Sequence, residues 1–201
     1  EEDTFVSKTM RTACQWLEQN YTHQNFYLTV DTFDPHEPWD PPDWYVRRFD
    51  PNDYDGPEPI YPTYGPNQMD EQTTKRTNAL YRAEACLVDT WIGHLLTKIE
   101  NMGLLENTMV IFMADHGEAN GQHRTFQKFA LYEESIRVPT IVATLGDRLD
   151  VGSGRFDREH FVSGVDLLPT VLDYAAVDAP DDVQGRSLRP LLERGASDWP
   201  D

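Results

Sequence analysis

Residues Thr108–Ala114 read TMVIFMA and run straight into Asp115-His116-Gly117. After its first residue the stretch is apolar on both faces, which predicts a strand whose two sheet faces are both covered. Val138–Leu145 (VPTIVATL) reads as a second such strand, with its proline at the start. Upstream, Gln68–Met102 predicts a long helix, with Asp70 as N-cap and Gly103 as its stop. Leu80, Leu87, Trp91, Leu95 and Met102 form a bulky stripe on it, beside a small one of Ala79, Ala83, Cys86, Thr90 and Gly93. A helix apolar on two faces is expected to wedge against a sheet. Strand–helix–strand order predicts an α/β fold, with a mostly parallel sheet sandwiched by helices.

Working outward, Thr4–Asn20 predicts an amphipathic helix and Asn25–Val30 (NFYLTV) a buried strand. Thr32–Asn67 is rich in Pro, Asp and aromatic residues, and no periodicity survives its prolines. So long a loop in a compact domain is usually functional or disordered. Its Trp39, Trp44, Tyr45, Tyr54, Tyr61 and Tyr64 predict that it packs. Asp166–Val177 predicts a short helix with Pro169 in its first turn, and Asp178–Asp201 is turn-rich.

The 201 residues suffice for one domain or a large piece of one. The net charge is −18 and only four residues are lysine, a surface that repels nucleic acid. No apolar run is long enough to span a bilayer. The chain begins Glu1-Glu2-Asp3, so its start is expected to be a boundary within a longer chain. No leader is visible, which favours the cytoplasm. Cys14 and Cys86 lie in predicted helices without metal-ligand spacing, and read as buried free thiols.

Three short stretches carry candidate chemistry. Asp115 and His116 follow a predicted strand, where ligand sites of α/β sheets gather, and offer a carboxylate and an imidazole to one metal ion. Gly117 and Gly121 allow tight turning around them. His36 sits in Asp34-Pro35-His36-Glu37-Pro38, where flanking prolines predict a stiff, extended backbone. Lys128 lies 13 residues after Asp115 and suits a sulfate or phosphate oxygen as a point charge. His123 lies between them as a further site cation or a loop-packing residue.

Together these stretches resemble the sulfatase family of the alkaline-phosphatase-like superfamily. The matching segments are FYLTVDTFDPHEPWDPP, YRAEACLVDTWIGHLL, NTMVIFMADHGEANGQHRTFQKFALYEESIRVPTIV and VSGVDLLPTVLDYAAVDAPDDVQGRSL, in family order from about Asn25 to Leu188. The resemblance implies that residues 1–177 are the C-terminal half of the α/β catalytic domain, an incomplete sheet, followed by a turn-rich tail over 178–201. It implies that Asp115 is a metal ligand, with His116 in the adjacent ligand position where many members carry Asn. It implies that His36 and Lys128 contact the sulfate. The implied metal is Ca2+, or Mn2+ in phosphonate and phosphodiester hydrolases. The implied nucleophile is a formylglycine made from Cys or Ser in C/S-x-P-x-R.

That motif is absent: neither Cys14 nor Cys86 is followed by the required Pro and Arg. The formylglycine and the paired Asp ligands are therefore expected outside this segment, and the segment alone is expected to be inactive. The expected function is metal-dependent hydrolysis of a small sulfate ester. The alternatives are a phosphodiester or phosphonate monoester hydrolase, which a nitrogen ligand at His116 keeps open, and a non-catalytic binding module. Exposed sheet edges would also let the segment self-associate.

Overall fold

The computed structural model describes residues 2–23, 25–144, 154–194 and 199. They fall into two compact units. The first comprises residues up to Leu104 together with Phe112–Ile141; the second comprises Leu105–Ile111 and the chain from Val142 onward.

The first unit is built on two helices. Helix α1 spans Phe5–Asn20 and buries Val6, Met10, Ala13 and Leu17, spaced four, three and four residues apart. Thr4 caps it by accepting from the Ser7 N–H. After α2 (Asp43–Val46) and the short strand β1 (Gly65–Pro66), helix α3 spans Glu71–Asn101. Asp70 caps α3 by accepting from the Thr73 N–H at 2.7 Å. Beyond Gly103, the Leu104 N–H returns to the Ile99 carbonyl and closes the helix. Val6, Met10, Trp39, Tyr45, Val46, Leu80, Ala83, Leu87 and Phe126 share one core. The buried face of α3 thus packs on α1 and α2, where a sheet was expected.

The aromatic loop packs in part. Trp39 and Tyr45 are buried, whereas Trp44, Tyr61 and Tyr64 are exposed. On α3, buried Arg76 holds the loop's far side by pairing with Glu58 at 2.6 Å and Asp50 at 3.4 Å. A buried guanidinium needs such partners, and two carboxylates supply them. The expected strand Asn25–Val30 does not form. Its burial alternates, with Phe26, Leu28 and Val30 half-buried, but no ladder partner meets it among the described residues. Side-chain alternation alone does not make a strand without a neighbour to hydrogen-bond.

Strand β2 (Met109–Met113) pairs with β4 (Thr140–Thr144), as the two apolar runs predict; Leu145 lies outside the described residues. Strand β3 (Thr125–Phe126) pairs antiparallel with β1, Gly65 opposite Phe126. Helix α4 (Glu133–Ile136) follows.

In the second unit, α5 (Leu167–Tyr174) carries Pro169 in its first turn, and α6 (Arg189–Arg194) lies within the turn-rich tail. The buried Asp166 carboxylate accepts from the Ser163 and Arg186 N–H groups, at 2.8 and 2.9 Å. Cys14 and Cys86 are free and half-buried, rather than fully buried. No helix among the described residues is long and apolar enough to cross a membrane.

Candidate functional site

Two loops of the first unit carry the candidate residues, and each is anchored by a buried aromatic. In the first, Trp39 is 1% exposed and donates its Nε1–H to the Pro35 carbonyl at 2.9 Å. Asp34, three residues earlier on the chain than Glu37, accepts from the Val6 N–H in the first turn of α1 at 2.7 Å. A carboxylate there meets the positive end of the helix dipole. Burial nevertheless raises the Asp34 carboxyl above its usual range, the Val6 bond opposing this and Asp40 adding to it. Between these anchors the His36 N–H bonds the Phe33 carbonyl at 3.0 Å, and the peptide bonds to Pro35 and Pro38 are cis. The backbone at His36 is therefore turned, not extended as the flanking prolines suggested.

In the second loop Phe126 is fully buried, which fixes the neighbouring Gln127 and Lys128. Six non-glycine residues among those described have positive φ, and four of them lie here: Asn120, His123, Arg124 and Gln127. Such conformations persist only where the surroundings hold them. Glu118 does this: its Oε1 accepts from the Asn120 N–H at 3.0 Å and the Gln127 N–H at 2.6 Å. Burial raises the Glu118 carboxyl; those two backbone bonds oppose the rise, nearby Glu37 adds to it and His116 opposes it. Gly121 takes φ +83° at the turn. Gly117 donates its N–H to the Ser135 carbonyl at 2.8 Å, and a Cβ there would lie 2.0 Å from the Glu134 carbonyl oxygen. Only glycine admits that approach.

The loops meet through one hydrogen bond. Gln127 Nε2 donates to Glu37 Oε1 at 2.7 Å across 90 residues of sequence. The other oxygen of Glu37 lies 3.2 Å from His36 Nδ1. On the far side of Gln127, Lys128 Nζ lies 2.9 Å from His116 Nε2. His116 Nε2 is in turn 3.4 Å from Asp115 Oδ2. Side-chain contacts thus join His36 through Glu37 to Gln127, and Lys128 to His116 and Asp115, and only the backbone between Gln127 and Lys128 connects the two groups. His123 is placed differently: it stacks on Tyr132 with ring centroids 4.0 Å apart and contacts Glu134 Oε2 at 3.2 Å. Those are the contacts of a loop-packing residue.

Hydrogen bonding assigns the tautomers. His116 Nδ1 lies 2.9 Å from the Gly117 carbonyl, an acceptor only, so Nδ1 carries the proton. Its Nε2 lone pair then accepts from the Lys128 ammonium. The same reasoning places the His36 proton on Nδ1, 2.9 Å from the Glu37 carbonyl, leaving the lone pair on Nε2. A carboxylate oxygen and an imidazole nitrogen 3.4 Å apart fit neighbouring positions on one metal ion with ligand distances of about 2.0–2.5 Å, and the imidazole lone pair would serve there once Lys128 releases it. No third His, Cys, Asp or Glu joins them among the described residues.

Sequence reasoning missed Glu37, Gln127 and Glu118. Their only sequence signal is adjacency: Glu37 to His36, Gln127 to Lys128, and Glu118 to the Asp-His-Gly run.

Comparison with known proteins bears on family and fold. The family model described as Sulfatase matches residues 4–177. An arylsulfatase of Clostridium perfringens is 34% identical over 94% of this chain, which spans only 42% of that relative's length. Among solved structures, the phosphonate monoester hydrolase of Agrobacterium radiobacter superposes with a TM-score of 0.81 at 23% identity, over 100% of this chain and 44% of that one. A structure in complex with its substrate D-glucosamine-2-N,6-O-disulfate gives 0.75 at 22% identity, over 98% of this chain and 54% of that one. At these identities the superpositions show the fold, an α/β architecture of which this chain spans about half.

Proposed function

Because the chain belongs to the sulfatase family, we propose that it carries the anion-binding part of a metal-dependent sulfate-ester hydrolase. The formylglycine nucleophile would come from sequence outside this segment. Two observations carry the reading: the Glu37–Gln127 hydrogen bond, which joins the His36 loop to the loop of Lys128, and the contact of Lys128 Nζ with His116 Nε2 beside Asp115. In a molecule of net charge −18 an anionic ester needs a local reversal of field, which the Lys128 ammonium and a bound divalent ion would supply together.

In this reading the Lys128 ammonium binds a non-bridging ester oxygen as a point charge. His36, its ring fixed by the Glu37 carbonyl and carboxylate, presents Nε2 to the same anion. When protonated there, it gives that proton to the departing alkoxide. Asp115 and His116 would hold a divalent ion, Ca2+ being our first choice. Bound, the ion supplies Lewis-acid polarisation of the ester and a template for the nucleophile. His123 is a further contact only if it leaves Glu134. The aryl-sulfate assignment draws support from the arylsulfatase relative.

A second reading, phosphonate monoester or phosphodiester hydrolysis, is favoured by the imidazole at position 116, which suits Mn2+ better than Ca2+. The test is turnover of an aryl sulfate against an aryl phosphodiester by the full-length protein, with and without metal chelation. Faster, chelator-sensitive cleavage of the sulfate is expected. Preference for the phosphodiester, or indifference to chelation, overturns the first reading.

A further inference from the structure

We propose that Glu37 and Gln127 act as positioning residues, a clamp that sets the separation and orientation of His36 and Lys128. Neither is itself an anion contact. The Glu37 carboxylate has one oxygen on the Gln127 amide at 2.7 Å and the other 3.2 Å from His36 Nδ1, so one side chain governs both the loop-to-loop distance and the imidazole. A carboxylate only accepts, so the amide must turn its NH2 toward it. Both partners are shielded: Gln127 is 9% exposed and the Glu37 side chain 17%. Water therefore competes weakly for this bond.

Gln127 is held independently. Its N–H is bound to Glu118, its carbonyl accepts from the Ala119 N–H at 3.2 Å, and its φ is +63°. It is the stiff partner, and Lys128 is the next residue along the chain. The donor is neutral, which suits the position. A lysine or arginine here would neutralise Glu37 and put a second cation beside His36. An amide fixes the geometry and leaves the Glu37 charge for the imidazole. Misplacement by about 1 Å at such a site costs about a hundredfold in rate.

The kinetic arm of the test rests on the sulfate-ester reading; the spectroscopic arm does not. In the full-length protein, Gln127→Glu sets two carboxylates against each other. On 4-nitrophenyl sulfate we expect kcat to fall about 10–100-fold with KM within about threefold. Adding Glu37→Gln reverses donor and acceptor, because the amide at 37 then donates to the carboxylate at 127, and should recover at least tenfold of the loss. A double variant no better than Gln127→Glu, or a Gln127→Glu protein within threefold of wild type, overturns the clamp. If Gln127→Glu fails to fold, Gln127→Met removes the donor without adding charge, and a Gln127→Met protein within threefold of wild type overturns the clamp. In protein labelled with 15N-histidine, the Glu37 carbonyl should keep the His36 proton on Nδ1, and Gln127→Met should move the ring nitrogen shifts because the Glu37 carboxylate beside Nδ1 loses its anchor. An unchanged His36 signature in that variant overturns the proposal whichever ester is cleaved. Wild-type protein inert toward aryl sulfate overturns the sulfate-ester reading alone, and the spectrum then decides the clamp.

Discussion

The His36 loop and the Lys128 loop solve the same problem with different means. Each must hold a polar side chain at a fixed place on an irregular backbone. Each does so by sinking an aromatic nearby: Trp39 three residues after His36, Phe126 two before Lys128, both essentially unexposed. The supports then differ. The His36 loop is tied outward, Asp34 to the first turn of α1 and the Trp39 N–H to the Ile60 carbonyl. The Lys128 loop is tied to itself, Glu118 gathering the backbone of a run that includes four left-handed non-glycine residues. One loop borrows rigidity from a helix; the other makes it internally. The comparison teaches that a carboxylate can do either, and the second unit repeats the device, where Asp166 gathers two backbone N–H groups. Such a hub is a structural element in its own right.

The aromatic anchors offer the largest effect on folding. Trp39→Ala and Phe126→Ala should each cost about 3–5 kcal/mol by denaturant titration, through cavities in the shared core. If either costs under about 1 kcal/mol, that aromatic is not the anchor of its loop.

A smaller effect separates the loops by pH. On α3, Glu84 is 3% exposed and its Oε2 has no hydrogen-bond partner. Burial, with Asp34 and then Asp40 adding to it, pushes its carboxyl up to about 8. Both of those acids belong to the His36 loop. The folded state keeps Glu84 protonated where the unfolded chain ionises, near the usual 4.5. The stability this provides is complete below about pH 4.5, declines as pH rises, and is lost once pH passes about 8. A loss on the order of a few kcal/mol across that window is expected, and Glu84→Gln should flatten it. A slope unchanged in Glu84→Gln would place its origin elsewhere.

Smaller again is the effect of Glu118. Glu118→Gln keeps one acceptor oxygen but removes the charge, and should cost about 1–2 kcal/mol while leaving the His36 loop's hydrogen-exchange protection unchanged. Loosening of both loops together would erase the distinction between inward and outward support.

Much of this was legible from residues alone. Asp115, His116 and Lys128 are modest candidates by residue type and spacing after an apolar strand, and the family resemblance singles them out; α1 is legible by its period and α3 by its period and its Asp70 cap. What was not legible depends on partners distant in sequence. Asn25–Val30 has a strand's composition but needs a neighbouring strand, and none among the described residues supplies one. The turn at His36 depends on a backbone bond to Phe33. Glu37 and Gln127 look like ordinary polar neighbours of two notable residues, and only the folded chain brings their side chains within 2.7 Å.

Whether His36 and Lys128 address one anion is tested most directly by the kinetics of His36→Ala, Lys128→Ala and the double variant in the full-length protein. Groups that act on the same charge are strongly non-additive. We expect each single variant to lower kcat/KM for an aryl sulfate by several orders of magnitude, and the double to be little worse than the worse single. Mild single losses, or a double variant whose loss is the product of the two, would mean that the imidazole and the ammonium serve separate purposes.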